Sequence, residues 1–174
     1  MHDHFDRLGL PRRFAVDAGK LDRAYLARSR AVHPDFHATG ASADLTASLE
    51  LSAALNEAYN TLRDPFSRAE HLLALEGGPS AAEHKQMPAA FLAEMLDARA
   101  EIETVRGDAV AAEPLARDFA ARSETLLGEI ATAFDQYDAL PAGESGRANL
   151  LVRIRGLLNA AKYVRGLIRD LNTE

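Results

Sequence analysis

The chain has 174 residues, 47% of them apolar, with no Cys and a formal net charge of −6. The apolar share excludes wholesale disorder, and the length allows one domain or two small ones with a real core. Without Cys there is no disulfide framework and no thiolate metal site, and the negative balance argues against general nucleic-acid binding, which needs clustered Lys and Arg.

Ala, Leu, Glu and Arg dominate and alternating β-branched runs are missing, so an all-α fold is predicted. A short first helix is expected from Asp3 to Leu8, stopped by Gly9 and Pro11. A second opens after Asp17, a good N-cap, and ends at His33 because Pro34 disfavours helix in the residue before it. After a loop containing Gly40, a third runs from about Ser42 to Arg63. Asp64-Pro65 breaks it and starts a fourth, which reaches about Glu76; Pro is tolerated in a first turn, where its missing N–H has no intrahelical partner.

Gly77, Gly78, Pro79 and Ser80 punctuate the chain, and a polar stretch follows to Met87. Three longer helices are expected beyond it. The first runs from Pro88 to about Val105, with Phe91, Met95, Ala98, Ile102 and Val105 in an alternating four–three register. The second spans about Glu113 to Asp138, carrying Phe119, Leu126, Ile130, Ala133 and Tyr137. After a turn at residues 140–143, the last runs from Gly146 to Asn172, with Leu150, Ile154, Leu157, Ala161, Val164, Ile168 and Leu171. Such seams bury one stripe per helix, and short turns join antiparallel neighbours, which predicts a three-helix bundle. The expected organisation is residues 1–76, a linker at 77–87, and a bundle at 88–174. No apolar run approaches the ~20 residues that span a bilayer, and the acidic start lacks a signal-peptide pattern. A cytoplasmic protein without membrane contact is expected.

Charge is unevenly distributed. Residues 17–32 hold four basic and two acidic side chains, 88–138 hold four and eleven, and 147–169 hold six basic and none acidic. The last helix can neutralise its acidic neighbours within the bundle, or turn part of its charge toward a partner.

His33-Pro34-Asp35 by itself is a weak signal, since three residues match by chance and the tripeptide can simply end a helix. Its setting is specific: a basic and apolar helix precedes it, then come a Gly-containing loop and a helix ending in Leu55-Asn56-Glu57-Ala58-Tyr59 and Asp64-Pro65. This arrangement resembles a J-domain, an antiparallel helical hairpin that stimulates DnaK-type chaperones. The resemblance implies that Asp35 engages a cationic residue of the chaperone. A carboxylate on a short stiff loop suits that role because little ordering is lost on binding. Pro34 sets the chain direction, and His33 bonds across the loop or to the partner. Lys20, Arg23 and Arg30 are the charges expected to steer the domain toward an acidic chaperone surface. Leu26, Ala27 and Ala31 stand where many J-domains carry polarity, Arg28 where an apolar residue is usual, and Phe36 where a cation is common. These departures favour a dedicated partner.

Asp64 to Leu73, with Arg68-Ala69-Glu70 at its centre, leads into the acidic bundle, and the whole is similar to the HscB family of J-proteins in iron–sulfur cluster biogenesis. The resemblance runs from about Phe5 to Leu171. It implies that the bundle holds an IscU-like scaffold protein and presents it to an HscA-like chaperone. Within the bundle, Leu92 and Leu96 lie about 100° off the seam of their helix and four residues apart, and Tyr163 sits beside the seam residue Val164. Off-seam apolar groups of this kind form an exposed patch or simply widen the buried face. The segment Phe91 to Asp97 matches the family's scaffold-contacting stretch, which implies roles for Leu92, Ala93, Leu96, Asp97, Ala100 and Tyr163. Ala93 and Ala100 are smaller than in some relatives, leaving Leu92, Leu96 and Tyr163 as the expected hot spots.

Two other readings compete. An enzyme or metal-binding bundle has little support, because the six His are scattered and no nucleophile motif, phosphate loop or His-Glu-x-x-His helix occurs. No catalytic residue, metal or cofactor is therefore expected. A J-protein with an unrelated client shares everything through Glu76 and differs only in what the bundle holds.

Overall fold

The computed structural model describes residues 3–32 and 42–173. All regular structure among them is helical: α1 (His4–Leu8), α2 (Ala18–Val32), α3 (Ser42–Arg63), α4 (Pro65–Leu75), α5 (Ala89–Thr104), α6 (Ala109–Ala139) and α7 (Ser145–Leu171). Two compact units emerge, residues 1–72 and 73–174.

In the first unit α1 and α2 both pack on α3. The side chain of Asp3 accepts the Asp6 N–H at 2.9 Å and starts α1. Gly9, at φ +64°, ends it in the left-handed conformation that costs other residues most. A Cβ on Gly9 would lie 2.2 Å from the guanidinium of Arg28. Arg28 thus stays exposed and lies across the α1 cap, which accounts for a cation at a position where the J-domain pattern has an apolar residue. Between α2 and α3 the pairs Tyr25–Asn56 (2.7 Å), Asp22–Tyr59 (2.9 Å) and Val32–Ser48 step in opposite directions along the two helices. The hairpin is antiparallel, and its core is Phe5, Leu8, Phe14, Leu21, Leu55, Ala58, Leu62, Ala69 and Leu72.

Arg68 is buried against this core. Its Nη1 donates to the Leu62 carbonyl at 2.7 Å, near the C-terminus of α3 where carbonyls lack helical partners, and its guanidinium lies 5.1 Å from the Phe14 ring centre. Burial lowers its pKa, partly countered by Asp64.

His71 stacks near Phe5 (5.9 Å) and His4 (4.2 Å), and its Nε2 accepts the His4 N–H at 3.4 Å. Burial, followed by repulsion from His4, pushes its pKa below the ordinary 6.5. Such a histidine takes its proton first in the unfolded chain. Its contribution to stability is therefore present above about pH 6.5 and is lost as pH falls through the window down to its folded value. An NMR titration is expected to place the His71 midpoint below 6.5; a midpoint at or above that value would contradict the packing.

The second unit is built around α7. Tyr137 and Arg147, flanking the turn, and Phe119 with Val164 and Leu167 at the other end, make α6 and α7 antiparallel. On α5, Phe91 meets Tyr163 while Ile102 and Val105 lie near Leu171, so α5 runs parallel to α7. Met95, Ala98, Ile102, Phe119, Val164 and Leu167 form the core where all three helices converge. With neighbours on two sides, α7 buries a wider stripe than a single seam. Leu151, Leu158 and Leu167 are buried beside Ile154, Ala161 and Val164, whereas the expected seam residues Leu150, Leu157, Ile168 and Leu171 are only partly covered.

The α6 helix starts at Ala109 rather than near Glu113, because Asp108 Oδ1 accepts the N–H groups of Val110 and Ala111, both at 3.0 Å. Pro114 is accommodated inside the helix. At the end of α4, Gly77 (φ +74°) and Gly78 close the helix through bonds to Ala74 and Leu73; a Cβ on Gly78 would strike Leu73 Cδ1 at 2.2 Å.

The segment 77–87, expected as a linker, is anchored to the second unit. Asn159 on α7 donates through Nδ2 to the His84 carbonyl at 2.7 Å, and its Oδ1 accepts from Nε of the buried Arg155 at 3.0 Å. Beside them, Tyr137 donates to Glu76 at 2.7 Å, while Arg147 caps the carbonyls of Tyr137 and Leu140 and lies 3.7 Å over the Tyr137 ring. Asn159→Leu is expected to destabilise this unit by about 1–3 kcal/mol in urea denaturation, because Arg155 and the His84 carbonyl each lose a buried partner. An unchanged midpoint would show that the link carries no weight.

Candidate functional site

The clearest candidate site is a groove between α5 and α7. α5 carries apolar residues on more than its core stripe, since Phe91, Leu92, Ala93, Met95, Leu96, Ala98, Ala100 and Ile102 surround most of it. Packing on α7 covers Met95, Ala98 and Ile102, and leaves Leu92 and Leu96 at 36% and 66% exposure. Tyr163 on α7 is 42% exposed. The groove, of about 300 Å³, is lined by Leu92, Met95, Leu96, Arg99, Tyr163 and Leu167. Patches of exposed apolar side chains grouped in one depression mark partner surfaces more often than scattered ones do.

One wall is held in place by an edge-on contact between Phe91 and Tyr163, with ring centres 5.9 Å apart. Arg122 on α6 braces Phe91 from the other side, with its guanidinium 5.3 Å from the ring and 2.6 Å from Glu94. Leu92, Leu96 and Tyr163 are thus brought together. Ala93, Asp97 and Ala100 are exposed further round α5. Ala100 lines a neighbouring depression with Arg99, Ile102, Glu103, Arg106, Arg169 and Asp170, while Ala93 and Asp97 line neither.

The sequence reading missed two parts of this site. Met95, assigned wholly to the core seam, also forms the floor of the groove. Arg99 lies seven residues after Leu92 and three after Leu96, so the same stripe that selected the leucines pointed to it.

The other candidate surface belongs to the first unit. His33, Pro34 and Asp35 lie outside the described residues. The helices on either side are described, and the Ser48 hydroxyl donates to the Val32 carbonyl, closing the end of α2 just before the tripeptide. Lys20, Arg23 and Arg30 are all exposed on α2. Leu26, also on α2, is 52% exposed. Tyr25 and Tyr59 stack with centres 4.3 Å apart and tie α2 to α3 through their hydroxyls. The bond to Asp22 raises the Tyr59 pKa, so the phenol keeps its proton and donates. These contacts stiffen a hairpin whose outward face is cationic.

Among the described residues, no group of three or more His, Asp or Glu is placed to hold a metal ion, and no helix is long and apolar enough to cross a membrane.

Comparison with known proteins agrees with this architecture. Residues 87–165 match the family model of the HSCB C-terminal oligomerisation domain. A Chromobacterium violaceum protein described as a co-chaperone protein HscB homolog is 40% identical over 132 residues, covering 75% of each chain. A Bordetella petrii HscB homolog is 35% identical, over 86% of this chain and 89% of its own. Among solved structures, the chaperone HscB from Vibrio cholerae superposes with a TM-score of 0.79 at 25% identity, over 98% of this chain and 95% of that one. The human co-chaperone HscB shares the fold, with a TM-score of 0.83 at 24% identity over 98% and 81%. The paired helical units and this similarity across both of them lead to one conclusion: the chain belongs to the HscB family of co-chaperones.

Proposed function

We propose that this protein stimulates the ATPase of an HscA-like, DnaK-type chaperone and delivers to it an IscU-like iron–sulfur scaffold protein, in the cytoplasm. The observation that carries the client half of this reading is the α5–α7 groove, where Leu92, Leu96 and Tyr163 are exposed in one depression. Covering a Leu side chain completely is worth about 1.5–3 kcal/mol, so a partner that fills the groove gains most of its affinity from a few residues. Asp97, Ala93 and Ala100 then form the rim on α5, where a carboxylate adds specificity more than affinity.

The chaperone half rests on His33, Pro34 and Asp35 between two helices of an antiparallel hairpin, with Lys20, Arg23 and Arg30 exposed on the first of them. Asp35 pairs with a cation on the chaperone, and the α2 charges accelerate encounter with an acidic surface. The protein itself performs no chemistry in this scheme and needs no cofactor. ATP turnover belongs to the chaperone.

Two measurements test the halves separately. Leu92→Ala/Leu96→Ala is expected to weaken binding to the scaffold at least about tenfold in calorimetry, as hot-spot truncations do; unchanged affinity would remove the groove from the client interface. Asp35→Asn is expected to abolish stimulation of chaperone ATPase turnover while leaving helicity and scaffold binding intact. Equal stimulation by that variant would refute the role given to Asp35. If the bundle captured some other protein and ignored the scaffold, a J-protein with an unrelated client would be the correct reading.

A further inference from the structure

A second cavity, of about 400 Å³, adjoins the groove and shares Arg99 and Tyr163 with it as a common wall. Its remaining lining includes three further cations, Lys85 from the segment before α5, and Lys162 and Arg169 from α7. Four positive side chains therefore face one space in a chain whose formal net charge is −6. Arg169 is 3.7 Å from Asp170. Among the described residues, no ion pair joins Lys85, Arg99 or Lys162 to a carboxylate. Like charges held together without counter-charges repel one another, so the arrangement is improved by an anionic partner.

Gly166 of α7 also lines the cavity. It sits inside α7, where glycine weakens a helix, and a Cβ at that position would meet nothing within 4 Å. No neighbour in the folded chain therefore demands a glycine there. What its missing side chain does is leave room in the cationic cavity it lines.

We propose that this cavity receives an acidic segment of the client, whose Asp or Glu carboxylates meet Lys85, Arg99, Lys162 and Arg169 while adjoining apolar side chains occupy the groove. The inference rests on the client reading of the α5–α7 face and adds the chemistry of what is recognised there. Arg99 is the junction between the two parts. Its guanidinium can pair with a carboxylate in two-pronged fashion, and Tyr163 lines both spaces beside it. All four cations are exposed, so salt screens their attraction for an anion, and this dependence separates the cavity from the groove.

The test uses the full chain and the purified scaffold protein in calorimetric titrations at low and high salt. Arg99→Glu/Lys162→Glu is expected to weaken binding about tenfold or more at low salt, with the gap from wild type narrowing at high salt. Gly166→Leu, which fills the space and alters no charge, is expected to weaken binding too, while strengthening helicity by circular dichroism. Leu92→Ala/Leu96→Ala serves as the reference for the groove. If the leucine variant loses binding while the charge-reversed variant binds like wild type, or loses affinity equally at both salts, the acidic-segment inference is wrong and the client reading stands. If wild type fails to bind the scaffold, or the leucine variant binds normally, the client reading falls and this inference with it. Equal competition by a short single-stranded RNA and by a Glu-rich peptide would mark a generic anion surface and overturn the proposal as well.

Discussion

The second unit depends on α7 having to satisfy two helices at once. Its buried stripe includes Leu151, Ile154 and Leu158 toward one end and Ala161, Val164 and Leu167 toward the other, with Phe119 of α6 and Met95, Ala98 and Ile102 of α5 meeting the second group. Because α5 buries only Met95, Ala98 and Ile102, it covers α7 along one line and leaves a furrow beside it. That furrow is the groove. Its position follows from the side on which α5 packs, and its apolar character from residues that α5 carries beyond its core stripe.

Polar contacts reinforce this arrangement beside the apolar core. The buried Arg155, Asn159 and the His84 carbonyl make one chain of hydrogen bonds, and Tyr137, Glu76 and Arg147 make another near the α6–α7 turn. Each removes a desolvation cost that an isolated buried polar group would impose. In doing so they tether the segment preceding α5 to α7, which brings Lys85 and Met87 alongside Lys162 and Tyr163. A stretch that looks like a spacer in the sequence thereby contributes to a surface.

The first unit is a smaller assembly of four helices. Its apolar core is modest, and α1 is only five residues long. The hairpin is reinforced by the stacked Tyr25 and Tyr59, by Ser48 on Val32, and by Arg68, which reaches from α4 to the end of α3. These contacts fix α2 against α3. On the proposed reading, one unit engages the chaperone and the other offers an apolar depression to the client.

Helix type and placement were legible in the sequence because the signals are local: Asp17 before α2, Pro65 in the first turn of α4, the four–three spacing of α5. The start of α6 lies at Ala109, four residues before the expected Glu113, where Asp108 caps it. The motif His33-Pro34-Asp35 and the stripe of Leu92 and Leu96 were legible as well, being short patterns of residue type. Whether those leucines were exposed was undecidable from spacing, because a helix with apolar residues all round gives no clue to which side its neighbour takes. The same applies to α7, whose single seam in the sequence became a broad buried face once α5 and α6 both settled on it. The sequence by itself determined the helices, their caps and the family pattern, all of which depend on residues within a few turns of each other. Only the tertiary structure decided that Tyr163 stands opposite Leu92 and Leu96, and that Lys85 joins Arg99, because such pairings depend on how separate helices pack across distances that no local pattern encodes.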